Sequence, residues 1–151
     1  MADRVTVELC VLTEHAKRAE EIIGEPAEES MESVDCTWFV YHEVNYGVLN
    51  RLDRLRAAGI AYESSWDSGA KFSKGCCSLR FTPEGEAIEK EIYENEMGIN
   101  VEALLEVIED HELLKQRIND HAERVSVLPW DNQAHYGKLY MARQLVCPQK
   151  D

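Results

Sequence analysis

Apolar and polar residues alternate near the start of the chain and then change to a spacing of three to four residues. Residues 5–12 are rich in β-branched side chains and predict a first strand. Thr13 is expected to cap a helix over residues 14–23, which Gly24 ends. The acidic, polar residues 25–30 lack a core-forming pattern and predict a loop.

The middle of the chain predicts a second strand and a second helix, followed by a hairpin. Residues 36–44 are dense in aromatic and β-branched side chains, which predicts a central strand. Asn45 is expected to cap a helix that runs to residue 58 and ends at Gly59. Residues 60–66 and 76–81 then predict two strands of a hairpin, joined by a loop that contains Gly and Ser.

Helical spacing dominates the second half of the chain. Residues 82–86 have a hydroxyl, a proline and acids in the order typical of a helix start, so a helix is predicted to continue through Ile92. Asn100 is expected to begin another helix, whose apolar phase breaks near residue 111. A restart from Asp110 restores the phase and predicts two short helices with a kink between them.

The order of elements indicates the fold class. Residues 125–128 fit a brief edge strand, and residues 136–145 fit either a last helix or a strand. The order β-α-β-α-β-β followed by helices predicts one α+β domain over residues 1–151, with helices on one face of a small mixed sheet. A ferredoxin-like arrangement is the nearest named pattern, and 151 residues suffice for one core.

Charge changes this picture because it is segregated along the chain. The net charge of -13 comes from two stretches, residues 14–35 and 84–112, while the other residues together are slightly positive. The first stretch holds eight acids against two bases, and the second holds eleven acids against Lys90. Segregated charge projects a directed electrostatic field that attracts an oppositely charged partner.

The leading functional hypothesis is therefore an acidic protein-binding module that presents a negative face to a basic partner protein. If residues 84–112 were helical throughout, they would carry one carboxylate per about 4 Å of helix axis. Acids of the first stretch placed alongside would reduce the spacing between carboxylates to about 2.3 Å. Duplex DNA carries one phosphate per about 1.7 Å of its axis. Such a face suits an inhibitor or decoy that mimics nucleic acid. The predicted contact residues are Glu84, Glu86, Glu89, Glu91, Glu94, Glu96, Glu102, Glu106 and Glu109.

Composition excludes several classes of function. An acidic chain is not expected to bind nucleic acid or anionic membranes directly, because phosphate neutralisation requires clustered Lys and Arg. No signal peptide or membrane-spanning run is visible, which predicts a cytoplasmic protein. Five cysteines without a framework spacing predict reduced, buried thiols, with the adjacent Cys76 and Cys77 on opposite faces of a strand.

No motif for a metal or a cofactor is complete. A zinc hydrolase helix requires His-Glu-x-x-His, but His42-Glu43 is followed by Tyr46 and His111-Glu112 by Lys115 at the position of the second histidine. There is no Gly-rich phosphate loop and no Gly-x-Ser-x-Gly sequence. The residues therefore predict no metal and no cofactor, and they favour a binding module over an enzyme.

An alternative hypothesis is a small enzyme or ligand-binding protein of unknown reaction. Two polar-aromatic runs, one at the end of the central strand and one near the C-terminus, would form a pocket if they met beside a tryptophan of the hairpin. Its candidate catalytic residues are His42, Glu43, Tyr46, Asp131 and His135, and its candidate pocket walls are Trp66, Asp67 and Trp130.

A second alternative rests on a resemblance. The predicted helix over residues 49–59, the hairpin up to Phe81 and the following residues 82–86 resemble the recognition helix, wing and next helix of MarR-type winged-helix regulators. The resemblance implies a DNA-reading face around Arg51, Arg54 and Arg56. The chain departs from the family upstream, where it has the strand over residues 36–44 in place of helices.

Overall fold

Six antiparallel strands form the sheet against which the rest of the chain packs. A computed structural model describes residues 3–146. The strands are β1 (Arg4–Leu12), β2 (Glu29–Glu32), β3 (Cys36–Asn45), β4 (Tyr62–Trp66), β5 (Gly75–Phe81) and β6 (Ala87–Tyr93). Their order across the sheet is β2-β3-β1-β4-β5-β6, which leaves β2 and β6 at the two edges.

Six α-helices lie within the described residues. They are α1 (Ala16–Ile23), which follows a 3-10 turn at Thr13–His15, α2 (Leu52–Ala57), α3 (Glu94–Met97), α4 (Val101–Leu105), α5 (His111–Val125) and α6 (Gln133–Val146). The side chains of Asn100 and Asp110 accept hydrogen bonds from backbone N–H groups at the starts of α4 and α5, so both predicted caps are confirmed.

The core lies on one face of the sheet, beneath α1, α2 and α6. Alternate residues of β1, namely Val7, Leu9 and Val11, are fully buried there, because successive side chains of a strand point to opposite faces. Ile23 from α1 and Leu55 from α2 pack onto the same cluster. The predicted α+β class is therefore confirmed.

The predicted helix from residue 82 to residue 92 is wrong, because these residues form a hairpin turn and strand β6. The N–H of Thr82 donates to the carbonyl of Glu86, and Gly85 adopts a left-handed φ of 74°, which closes the turn. Phe81 then pairs with Ala87 across the hairpin. Thr-Pro-Glu is equally suited to a tight turn and a helix start, so the local signal did not distinguish them.

Further expectations change. The sheet is purely antiparallel and not mixed, and the ferredoxin-like order is not confirmed. The predicted loop is confirmed for residues 25–28, whereas Glu29 and Ser30 begin the edge strand β2. Thr13 does not cap α1, because its hydroxyl donates to the carbonyl of Ser33 and α1 begins only at Ala16. The expected helix from Asn45 begins only at Leu52, and residues 125–128 form no strand. The undecided segment, residues 136–145, lies in α6.

A bulge at the end of β3 shapes the turn beyond it. Val5 pairs with Val44 and Val7 with Tyr41, so His42 and Glu43 together oppose the single residue between them on β1. Glu43 has a φ of 57°, in the left-handed region. The bulge directs the chain into the turn that begins at residue 46. This turn lies beside Trp66, the last residue of β4.

Candidate functional site

The segment from α3 to α5 contributes little to the core. Of residues 94–125, Val107 alone is buried, and none of the three helices buries a side chain. Three arginine and histidine side chains hold the helices together: Arg117 donates to the carbonyl of Ala103, His121 lies 3.3 Å from the carbonyl of Met97, and Arg124 pairs with Glu96. Polar contacts and not apolar burial therefore hold this segment in shape.

Large apolar side chains of this segment are exposed to solvent. Their exposed fractions lie between 36% and 63%. They are Met97, Ile99, Val101, Leu105, Ile108, Leu113 and Ile118, and we call them, with the acids among them, the 97–118 surface. Val101 and Leu105 lie one turn apart on α4, a spacing that places them on the same face of the helix.

The sequence pattern misassigned these residues. The stripe from Val101 to Ile108 has the spacing of a buried helix face, and its register is that of a core element. The exposure was signalled only by the loss of phase after Ile108, where His111 and Glu112 stand at positions that a buried stripe would fill with apolar residues. In the structure α4 ends at Leu105, before this break, and α5 begins at His111.

Acids accompany the exposed apolar residues. Glu102, Glu109 and Glu112 are exposed, and none has an ion-pair partner among residues 3–146. Glu106 lies 3.8 Å from Arg117 and is exposed as well. The 97–118 surface is thus both apolar and negatively charged.

The nine predicted contact glutamates differ in whether an arginine pairs with them. Four pair with arginines: Glu86 with Arg143, Glu89 with Arg56, Glu96 with Arg124 and Glu106 with Arg117. Another four, Glu84, Glu94, Glu102 and Glu109, have no ion-pair partner in the described part of the chain, and Glu91 accepts a hydrogen bond from the hydroxyl of Tyr93. About half of the predicted acidic face is therefore neutralised locally.

Glu96 is the most strongly held of these carboxylates. The backbone N–H of Tyr93 donates to it at 3.1 Å and Arg124 pairs with it, and these two contacts lower the pKa of Glu96 below its ordinary value. A carboxylate engaged in this way holds α3 against α5. Its role in the fold leaves it less available to a partner.

The two acidic stretches do not meet. The first lies on α1 and the edge strand β2, whereas the second begins at the opposite edge strand, β6. Five strand spacings of about 4.8 Å separate these edges by about 24 Å. The combined array of carboxylates that would approach the charge spacing of DNA is therefore not formed, and residues 84–112 are not one helix.

The predicted pocket between the polar-aromatic runs is also not formed. Gln133, at the start of α6, accepts a hydrogen bond from the N–H of Phe81 and donates one to its carbonyl. Phe81 ends β5, and the strand register places it at the same end of the sheet as the first residue of β3. His42 lies at the other end, about seven residues or 23 Å away along the strands. The strand register thus places Trp130, Asp131 and His135 at one end and His42, Glu43, Tyr46, Trp66 and Asp67 at the other.

Each predicted catalytic candidate has an ordinary environment. His42 lies 3.1 Å from the hydroxyl of Thr6 and 3.6 Å from Glu29, and Glu43 pairs with Arg4 at the surface. Asp131 and His135 are exposed. In the described residues, no group of three His, Cys, Asp or Glu side chains is arranged to hold a metal ion.

Trp130 has a structural partner that sequence reasoning missed. Its ring lies 3.6 Å from the guanidinium carbon of Arg80, a side chain that is 2% exposed. Arg80 also donates to the carbonyls of Leu128 and Tyr62 and pairs with Glu63. Burial lowers the pKa of Arg80, and the Glu63 carboxylate opposes that effect.

A cavity lies between the turn after β3 and the ends of β4, β5 and β6. It has a volume of about 230 Å³, and we call it the Trp66 pocket. Four aromatic side chains and one carboxylate line it: Tyr46, Trp66, Phe72, Tyr93 and Glu91. Trp66 and Tyr93 meet edge to face, with ring centroids 6.0 Å apart and an interplanar angle of 75°.

The thiols are reduced and mostly sequestered. Cys10, Cys36, Cys76 and Cys77 are free, and Cys147 lies outside the described residues. Burial raises the pKa of Cys10 to about 12, which disfavours the nucleophilic thiolate. No described cysteine is therefore suited to nucleophilic catalysis.

The arginines proposed for DNA reading serve the fold instead. Arg51 donates to the carbonyls of Ile22 and Ile23 at the end of α1, and Arg56 pairs with Glu89. The helix that contains Arg54 has only six residues, and the hairpin beside it belongs to the central sheet. The arrangement of the winged-helix regulators is not formed.

Comparison of the chain with protein-family models, with curated proteins and with solved structures finds no match. None of the helices described for residues 3–146 has the length and apolar character needed to cross a bilayer. The 97–118 surface and the Trp66 pocket are the two candidate binding sites.

Proposed function

We propose that this protein is a binding module that accepts a basic, amphipathic segment of a partner protein on the 97–118 surface. The observation that carries the proposal is the seven large apolar side chains exposed within 22 residues of helical chain. Monomeric soluble proteins rarely leave such a group uncovered, and an exposed apolar patch with a polar rim is typical of a protein interface.

Charge decides which partner suits this surface. Glu102, Glu109 and Glu112 lie among the apolar residues without a cation of their own in residues 3–146. A partner segment with apolar residues on one side and Lys or Arg around them would cover the exposed apolar side chains and pair with the glutamates. Its association should be steered by charge and weakened by salt, because screening acts beyond about 8 Å at physiological ionic strength.

A designed peptide tests the proposal. The probe is an amphipathic helix of Leu and Lys residues, and its counterpart carries Glu in place of every Lys. We expect the Lys peptide to bind, as measured by fluorescence anisotropy at low salt, and the Glu peptide not to bind. Replacing Glu102, Glu109 and Glu112 by Gln should weaken binding by about five-fold, because three exposed ion pairs of roughly 0.3 kcal/mol each are lost.

The matched control makes the same charge change at the other edge of the molecule. Glu14, Glu20 and Glu32 are exposed and have no ion-pair partner in the described chain. Their triple Gln variant should bind the Lys peptide as the unaltered protein does. Equal weakening by both triple variants would show that only net charge matters, and the proposal would then be abandoned.

Apolar variants test the other half of the proposal. Leu105→Ser and Ile108→Ser remove exposed side chains, so the free energy of unfolding should change little while peptide binding falls at every salt concentration. A protein that is dimeric in sedimentation analysis, and that becomes monomeric with these two substitutions, would show that a second copy covers the surface. That result would overturn the proposed basic partner.

A further inference from the structure

The Trp66 pocket has the geometry of an aromatic enclosure. Trp66, Gly75 and Tyr93 are directly opposite one another on β4, β5 and β6, so they form one row across the sheet. Gly75 has no side chain, and a Cβ there would lie 2.7 Å from the Trp66 ring. The indole therefore extends over the glycine until it meets the ring of Tyr93.

Two further contacts fix the tryptophan in this position. Its indole N–H donates to the carbonyl of Ser73 at 3.0 Å. Gly47, with a φ of 68°, approaches the other end of the side chain so closely that a Cβ would lie 2.8 Å from Trp66 Cβ. Phe72 and Tyr46 complete the lining from the two loops. The fold thus holds the indole of Trp66 in place as one wall of the pocket.

The next row of the sheet places a negative charge in the pocket. Ser64, Cys77 and Glu91 follow Trp66, Gly75 and Tyr93 at a spacing of two residues, on the same face. Glu91 accepts a hydrogen bond from the hydroxyl of Tyr93 and has no cationic partner among residues 3–146. Burial and then the Glu91 carboxylate raise the pKa of Cys77 to about 11, which is consistent with a charge directed into the pocket.

We infer that the Trp66 pocket binds a methylated alkylammonium group. Aromatic faces attract a cation through their quadrupole, and the methyl groups spread its charge over a surface that rings can cover. Glu91 supplies the compensating charge, and the cavity of about 230 Å³ has room for such a group. The inference is independent of the 97–118 surface, because none of the pocket residues belongs to that surface.

The experiment uses a ligand and its uncharged isostere. Choline carries a trimethylammonium group, and 3,3-dimethyl-1-butanol replaces its nitrogen by carbon at nearly the same size. The chain is titrated with each up to about 20 mM while the indole N–H signal of Trp66 is followed by NMR, the signal being assigned with Trp66→Phe. We expect choline to bind about ten-fold more tightly than the alcohol.

Variants separate the charge from the rings. Glu91→Gln should weaken choline binding about five-fold, whereas Glu89→Gln, on the same strand and face but paired with Arg56, should leave it unchanged. Tyr93→Leu should remove most of the preference for choline over the alcohol. Both Tyr93 and Glu91 are exposed, so the fold should tolerate these changes, and an unchanged urea unfolding midpoint checks this.

A second arm identifies the source of the ammonium group. A short peptide with one trimethyl-lysine and its unmodified counterpart are titrated in the same way. Tighter binding of the methylated peptide than of choline supports a protein source, and tighter binding of choline supports a free metabolite. The inference is overturned if the alcohol binds as well as choline, if Glu91→Gln has no effect, or if no ammonium ligand shifts the Trp66 signal.

Discussion

At the scale of single residues, Gly137 packs against Gly59 so closely that a side chain has no room between them. A Cβ on Gly137 of α6 would lie 1.9 Å from the carbonyl oxygen of Gly59, just after α2. Residues 136–139 repeat the Tyr-Gly-x-Leu sequence of residues 46–49, and this echo predicts similar capping chemistry at both places. In fact Gly137 is helical, and its missing side chain lets α6 lie against the end of α2.

Gly137→Ala should therefore destabilise the protein by more than about 2 kcal/mol, since the added methyl group meets backbone that cannot move aside. Urea unfolding followed by circular dichroism measures this loss. The matched control is Gly98→Ala, because a Cβ there has no atom within 4 Å and its φ of -90° suits any residue. A loss in Gly137→Ala no larger than in the control would contradict the assigned contact.

His15 makes stability depend on pH. Its Nδ1 is buried without a hydrogen-bond partner in the described residues, and this burial lowers the pKa of His15 below its ordinary value, with Glu14 opposing and Lys138 adding to the effect. The unfolded chain then binds a proton below about pH 6.5 that the folded chain does not. Stability is complete above that pH and falls as the solution becomes more acidic.

His15→Phe removes this titration. We expect the free energy of unfolding of the variant, relative to that of the unaltered protein, to increase between pH 7.5 and about pH 5. Urea unfolding at several pH values measures the difference, and an NMR titration gives the pKa of His15 directly. A constant difference across this range would show that His15 titrates alike in the folded and unfolded chains.

At the scale of elements, one arginine fastens the segment between α5 and α6. Arg80 on β5 donates to the carbonyl of Leu128, and Trp130 stacks on its guanidinium group. On the next strand, Lys90 donates to the carbonyls of Glu123 and Ser126. Residues 126–130 thus cross the face of the sheet opposite the core, held mainly by charged donors on backbone acceptors.

Arg80→Met should cost about 3 kcal/mol, because removing the buried guanidinium leaves the carbonyls of Tyr62 and Leu128 and the carboxylate of Glu63 without their donor. Arg143→Met is the control: Arg143 also contacts a backbone carbonyl and a glutamate, but it is half exposed, so the change should stay within about 0.5 kcal/mol. Urea unfolding compares the two. Equal losses would contradict the buried clamp.

At the scale of the whole molecule, acidic side chains gather at both edges of the sheet, and the two edges differ in how many apolar side chains they expose. The acidic residues of α1 and β2 lie at one edge of the sheet, and those that follow β6 lie at the other. The first group is accompanied by the exposed side chains of Met31 and Val34, whereas the second is accompanied by the seven exposed apolar side chains of the 97–118 surface. For this reason, the salt dependence and the two triple Gln variants discriminate between a built interface and general acidity.

Local signals in this chain were sufficient where the structure they encode is local. Asn100 and Asp110 cap the helices that were predicted from them, because a cap needs only its own side chain and the next three N–H groups. The hairpin of β4 and β5 was predicted for the same reason. By contrast, Thr82 and Pro83 suit both a helix start and a turn, and pairing of Phe81 with Ala87 decides between them.

Local patterns were enough to predict the α+β class, the starts of α4 and α5 and the segregation of charge, since each depends on neighbours along the chain. The tertiary structure alone decided that the polar-aromatic runs lie at opposite ends of the sheet and that Glu91 joins Trp66 and Tyr93 in one pocket. The physical reason is strand register. A residue's partners across a sheet are set by pairing over long sequence separations, and no local pattern encodes them.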